Sequence, residues 1–248
     1  MTNKLILAAA LATSLSLTLA ACGEKAPAEG ETAAAITKVA APAGKSWSAT
    51  VAATADGGML MGNPDAPVKL VEYASLTCSH CADFSGESAE EIKRDFIETG
   101  RVSLEVRNFI RDPLDATAAA LTKCAGVDRY FALTENVFAS QAELFAGAQA
   151  NGQAGENAMA LPAADRFPAL AKAWGVDKFF QARGMTAEQI NVCLADLNNI
   201  EKLQNMTNDG TVKYQISGTP TFLLNGQVVQ NATTWPVIRD RLRAAGAR

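Results

Sequence analysis

Val68-Lys69-Leu70-Val71-Glu72-Tyr73-Ala74 reads as a buried strand, and it leads through Thr77 directly into Cys78-Ser79-His80-Cys81. The rest of the chain is read outward from this junction. Two cysteines three residues apart at the first turn of a helix close a small disulfide loop when oxidised. When reduced, the first thiol sits where backbone N–H groups and the helix dipole favour an anion. His80 is the sole histidine of the 248 residues and lies between the two sulfurs, where an imidazolium would stabilise a Cys78 thiolate further. A lone C-x-x-C also resembles half of a zinc site. Zinc takes four ligands, and no second C-x-x-C or spare histidine is present, so no metal is expected. The order strand, C-x-x-C, helix points instead to thiol–disulfide redox chemistry carried by the protein alone, with no cofactor.

A composition of 48% apolar and 19% charged residues is that of a globular protein with a well-buried core. The formal net charge of -4 offers no basic face to phosphates, which argues against nucleic acid as a partner. Five cysteines are an odd number, and Cys22 accounts for the extra one. Residues 1–21 carry Lys4 and then an apolar run of Leu, Ala, Ser and Thr, the early regions of a secretory signal. The run ends Leu19-Ala20-Ala21-Cys22, which resembles the lipobox of bacterial lipoproteins. That resemblance implies cleavage before Cys22 and a diacylglycerol on its sulfur. Acyl chains at about 0.8 kcal/mol per buried CH₂ would hold the protein on a membrane, in the periplasm or cell envelope. Export also places the other four cysteines where disulfides persist.

Residues 22–45 are Ala, Glu, Pro and Gly with few large apolar side chains, and they read as a flexible tether. Trp47 to Ala53 alternates as a first strand, Met59-Leu60-Met61 follows, and a helix from Cys78 to Thr99 is stopped by Gly100. Val102 to Phe109 alternates as another strand. From Asp112-Pro113 the pattern turns helical, with stretches to Cys124, over Asp128 to Gln141, over Arg166 to Trp174, from the capping box Thr186-Ala187-Glu188-Gln189, and over Asn199 to Tyr214. Ala146 to Ala164 reads as an exposed low-complexity loop. Strands return at Thr221 to Leu224 and Gln227 to Gln230, turned by Asn225-Gly226, before a last helix from Trp235. The chain therefore reads as an α/β fold with an all-helical block inserted in its middle.

This order resembles the thioredoxin-like fold, and within it the DsbA-like thiol:disulfide oxidoreductases. Cys78-Ser79-His80-Cys81 matches the family's active-site motif, with Ser79 where DsbA has proline. Thr219-Pro220 matches its cis-proline loop, Glu72 falls where the family keeps an acidic residue under the site, and the helical block matches its insertion. The resemblance implies a thioredoxin-like domain over 46–114 and 215–248, a helical insertion over 115–214, Cys78 as nucleophile, Cys81 as resolving thiol, and Thr219 and Pro220 as substrate-binding residues. A buried Glu72 would take the proton of Cys81. Cys124 and Cys193, 69 positions apart in the insertion, form a structural disulfide or remain two buried thiols. Some members of the family carry such a second pair.

The expected function is introduction or exchange of disulfides in extended, exported proteins, with a quinone-linked membrane partner resembling DsbB as re-oxidant. The same residues at a lower potential would make a reductase or isomerase. A thiol peroxidase, or a non-catalytic binding lipoprotein that keeps the motif, stays open at this point.

Overall fold

The computed structural model describes residues 33–248. The expected signal peptide, the Cys22 expected to carry lipid, and the first part of the expected tether lie outside the described residues. Strands β1 (Val51–Ala53) and β2 (Met59–Gly62) lead to β3 (Val68–Ala74), helix α1 (Ser79–Glu91) and β4 (Val102–Asn108). Residues Ile92–Ile97 extend α1 as a π-helical segment. The insertion comprises α2 (Pro113–Cys124), α3 (Tyr130–Ala139), α4 (Gln141–Ala150), α5 (Gly152–Met159), α6 (Ala163–Trp174), α7 (Val176–Gln181), α8 (Ala187–Ala195) and α9 (Leu197–Tyr214). The hairpin β5 (Thr221–Leu224) and β6 (Gln227–Val228), then α10 (Trp235–Ala244), complete the fold.

The sheet order is β1-β2-β4-β3-β5-β6. Among the described strands only β3 and β4 run parallel, from Val68 opposite Val102 to Ala74 opposite Asn108, because α1 crosses between them. Being central, β4 is buried along its whole length, and β3 exposes only Lys69. Asn225 and Gly226 both take positive φ, the geometry a two-residue hairpin needs, and join β5 to its antiparallel partner. The α/β architecture with the helices inserted between β4 and β5 is thus the one the sequence predicts.

Three expectations are corrected. The stretch from Ala146 to Ala164 is mostly helical, continuing α4 and forming α5. Its glycines serve close packing rather than a loop: a Cβ on Gly155 would sit 2.4 Å from the Trp174 indole nitrogen, so α5 meets α6 there. The first strand is shorter than Trp47 to Ala53, because Glu98 accepts from the backbone of Trp47 and Ser48 and holds that end in a turn. Finally, residues 33–45 of the expected tether are docked. Ile36 donates its N–H to Gly246 O and Val39 its N–H to Thr99 O, both at 2.9 Å. Ile36 and Ala41 pack on the core, two contacts that the low average hydrophobicity of the stretch concealed. Among the described residues no helix is long and apolar enough to cross a membrane.

Candidate active site

Cys78 is the entry residue of α1, with extended backbone (φ -90°, ψ 120°) and no side-chain cap. The first-turn N–H groups of the helix are therefore free to face its sulfur. Its thiol is lowered from 9.0 to about 5. The largest cause is the Cys81 S–H, which donates to the Cys78 sulfur; burial opposes it, and the Thr219 side chain and the backbone N–H groups of Cys81 and His80 add to the lowering. Cys81, one turn inward and fully buried, is pushed far up by burial, by its bond to Cys78, and by the charges of Glu72 and Cys78. One helical turn therefore holds an anionic sulfur at its mouth and a protonated one beneath.

Of the site residues expected from the sequence, Cys78, Cys81, His80, Glu72, Thr219 and Pro220 come together here. His80 is exposed, and its backbone N–H is directed at the Cys78 sulfur. The Thr219-Pro220 bond is cis, and the Thr219 carbonyl oxygen lies 3.2 Å from Cys78 Sγ. Thr219 Oγ1 is buried with no conventional hydrogen-bond partner, which leaves it available to the thiolate. Two residues beyond Pro220, Phe222 packs tilted against Phe84 of α1 with ring centroids 4.5 Å apart, and Trp235 of α10 closes on Phe84 edge-on. These rings fix the cis-proline loop against the helix that carries the cysteines.

Glu72 points from β3 to the same side, beneath the cysteines. It is 5% exposed, and its carboxyl is raised to about 8, first by burial and then by the Cys78 charge. Cys124 and Cys193 are bonded to each other in the insertion, joining α2 to α8, apart from the redox pair. The two free cysteines among the described residues are Cys78 and Cys81.

Three residues, Asp112 at the N-cap of α2 and Asp115 and Gln141 in the helical insertion, hold the loop before Cys78, and sequence reasoning did not assign them to the site. Asp115 accepts from Ser75 Oγ at 2.6 Å, from the Leu76 N–H at 2.8 Å and from the Arg111 N–H at 3.0 Å. Its burial raises it to about 7, against the lowering effect of those bonds. Asp112 accepts from Thr77 Oγ1 at 2.6 Å, and Gln141 Nε2 donates to the carbonyls of Leu76 and Cys78 at 2.8 and 2.9 Å. Asp112 caps α2 and Asp115 stands in its first turn, positions where acids are common, so nothing local distinguished them.

A family model described as thioredoxin matches residues 54–243. The solved structure of a protein-disulfide isomerase from Novosphingobium aromaticivorans is 35% identical, covering 77% of this chain and 98% of that one, with a TM-score of 0.72. Wolbachia pipientis alpha-DsbA1 is 26% identical over 67% of this chain and 74% of its own, with a TM-score of 0.55. A curated relative from Rickettsia bellii, named "Putative protein-disulfide oxidoreductase", is 28% identical over 173 residues, 70% of this chain and 59% of its own length. The chain thus spans under two thirds of the curated relatives it matches, 54% of one from Rickettsia conorii. With the redox pair at the mouth of α1, the cis-proline loop against it and the helical insertion beside it, the chain belongs to the thioredoxin family, among its DsbA-like members.

Proposed function

We propose that this protein is a thiol:disulfide oxidoreductase that passes the Cys78–Cys81 disulfide to cysteines of extended, exported protein clients. The observation that carries this reading is the split between the two thiols, one lowered to about 5 and the other held protonated beneath it. A client thiolate attacks Cys78 Sγ, the Cys78–Cys81 bond breaks, and the electron pair leaves on Cys81. The Cys81 thiolate then takes the proton of the Glu72 carboxyl, which is still protonated at neutral pH. A second client thiolate attacks the client sulfur of the mixed disulfide, the client disulfide forms, and Cys78 departs as a stable thiolate. A low leaving-group pKa favours that departure. Thr219 and Pro220 would align the client strand beside Cys78.

The Cys22 resemblance supports a lipid-anchored protein of the periplasm or cell envelope, and a DsbB-like quinone-linked enzyme is the class of partner that would restore the disulfide. Equilibration with glutathione tests the direction of transfer. A potential well above the roughly −270 mV of thioredoxin supports disulfide donation, and one at or below that value defeats it. The isomerase name of the Novosphingobium structure favours a second reading, disulfide exchange on misbridged clients. Under it the reduced protein reactivates a scrambled, fully oxidised substrate without added oxidant, whereas a donor does not. Trapping of exported proteins on Cys78 in a Cys81→Ala variant is expected under either reading and fails if the site serves small molecules.

A further inference from the structure

A cleft of about 460 Å³ opens in the insertion between α4 and the turn from α6 to α7, and none of the residues that line it takes part in the disulfide transfer. Clefts of that size are in the range that holds small ligands or short peptide segments. Its floor is closed, because a Cβ on Gly147 of α4 would stand 2.5 Å from the Trp174 carbonyl oxygen at the end of α6. Leu144, Trp174 and Phe179 give the cleft apolar surface, and Lys172, Lys178 and Arg183 line it with a single carboxylate, Glu143. Three cations against one anion make the lining basic, in a protein whose formal net charge is -4.

Arg183 is held in place. Its guanidinium carbon lies 3.4 Å from the Phe179 ring centroid, and Nη1 donates to the Phe179 carbonyl at 3.1 Å. Nε and Nη2 reach Asn136 Oδ1 and Ser140 Oγ, each at 3.4 Å. All three acceptors are neutral. Among the described residues no carboxylate lies within ion-pair distance of Arg183, Lys172 or Lys178. A guanidinium oriented by an aromatic face and by neutral oxygens keeps its charge for a ligand, and holding it beforehand lowers the entropic cost of binding. Ser140 immediately precedes Gln141, whose amide holds the Leu76 and Cys78 carbonyls, so the cleft begins at the helix end that braces the redox loop. From Glu143 to Asn151 the α4 wall is about 12 Å long at 1.5 Å per residue, which an extended chain covers in about four residues.

We propose that this cleft is a docking site for an extended acidic segment of a protein client, with carboxylates on Arg183, Lys172 and Lys178 and the intervening side chains on Trp174 and Phe179. Alternation of side chains along an extended chain lets the acids reach the cations while the residues between them cover the apolar lining. An anionic membrane surface fits less well, since it calls for a cluster of about four to eight Lys or Arg, and here three surround a recess that also holds an acid. That the segment belongs to a client rests on the function proposed above; that the cleft takes an acidic peptide does not. Docking here lowers KM for acidic clients and leaves the exchange at Cys78 as it is.

The test is binding of a fluorescent, cysteine-free peptide of alternating glutamate and leucine to the full chain, read as anisotropy at low salt beside the same peptide with glutamine for glutamate. The acidic peptide is expected to bind, more weakly as salt rises, and the glutamine peptide about tenfold less tightly. Lys172 and Lys178 are exposed and their side chains make no hydrogen bond, so the double variant Lys172→Gln, Lys178→Gln removes charge without removing support. It is expected to weaken binding about fivefold, the effect of two exposed charge contacts, and Glu143→Gln to tighten it about twofold. With a dithiol peptide carrying the acidic segment as client, the double variant is expected to raise KM about fivefold at unchanged kcat. Equal binding of the two peptides, or an acidic peptide held as tightly by the double variant as by the parent, overturns the docking site. So does a parent that ignores the peptide but binds phosphatidylglycerol vesicles through the two lysines, which assigns the cations to a membrane. Acidic-peptide binding that responds to these changes in a protein that transfers no disulfide upholds the cleft and defeats the function proposed above instead.

Discussion

Cys81→Ala isolates the largest cause of the Cys78 thiolate, because the Cys81 S–H is its strongest donor in the reduced site. A hydrogen bond to a charged acceptor contributes about 1.5–3 kcal/mol. One pKa unit corresponds to about 1.4 kcal/mol, so losing the donor raises the Cys78 pKa by about one to two units, from about 5 to between 6 and 7. The remaining lowering stays with Thr219 and the N–H groups of residues 80 and 81, which the change leaves in place. Thiolate absorbance near 240 nm, followed against pH beside the rate of alkylation by iodoacetamide, reads the shift with one titrating thiol in the site. The sign for stability follows from the direction. A thiol depressed on folding stabilises the reduced protein above its folded pKa, and this contribution is lost as pH falls through about 5. At pH 7 it amounts to about 3 kcal/mol, on the order of 60 mV towards the reduced state, which makes the disulfide the better oxidant. A Cys78 pKa unchanged within a few tenths in Cys81→Ala refutes the Cys81 hydrogen-bond account and assigns the thiolate to Thr219 and the helix terminus.

Glu72 and Asp115 are both raised on folding, to about 8 and about 7, so each contributes stability that is full below the ordinary carboxyl range and is lost as pH rises through the raised value. Urea unfolding is expected to show stability declining between pH 5 and 8 by up to about 1.4 kcal/mol per pH unit for each group, and Glu72→Gln should flatten that decline. The double variant Cys124→Ala, Cys193→Ala opens a loop of 69 residues and is expected to lower stability by about 4 kcal/mol in the chain-entropy model. Its Cys78 titration should match the parent, because the bond lies outside the redox site, and a shifted titration would show the two bridges to be coupled. Asp115→Ala strands the Ser75 hydroxyl and the N–H groups of Leu76 and Arg111, at about 1–3 kcal/mol for each donor left unpaired. It is expected to slow client oxidation as well as to lower the melting temperature, and unchanged turnover in the folded variant would show that the loop does not need the insertion.

Much of the site was legible in the sequence because its chemistry is local. The helix N-terminus, the spacing of Cys78 and Cys81 and the strand before them are all contiguous in the chain, so period and motif suffice. Glu72 entered through the family resemblance alone, since the run Val68 to Ala74 is apolar on both faces and does not say where a carboxyl on it would lie. The docking of residues 33–45 escaped because a handful of contacts from Ile36, Val39 and Ala41 vanish in an average over Ala, Pro and Gly. The α4–α5 stretch escaped for a related reason. Glycine in a helix reads as a breaker until the neighbouring Trp174, which comes 19 residues after Gly155, shows why a side chain would not fit.

Asp112, Asp115 and Gln141 were illegible for a deeper reason, and they bear on what the insertion is for. Each is ordinary in its own helix, and each becomes functional only when the fold brings α2 and α4 to the loop that ends in Cys78. The side chains from elsewhere in the described structure that bond to the backbone and hydroxyls of residues 75–78 are these three, all from the helical block. The sheet supplies the strand, and α1 supplies the charge-stabilising terminus. The position of the Cys78 carbonyl, and with it the first turn whose N–H groups face the sulfur, is set from the insertion. A helical block that only widened the client surface would have no need to bury a carboxylate and an amide against the redox loop. These bonds make it part of the scaffold that holds the thiolate, so a change that shifts α2 relative to β3 reaches the chemistry without touching a cysteine.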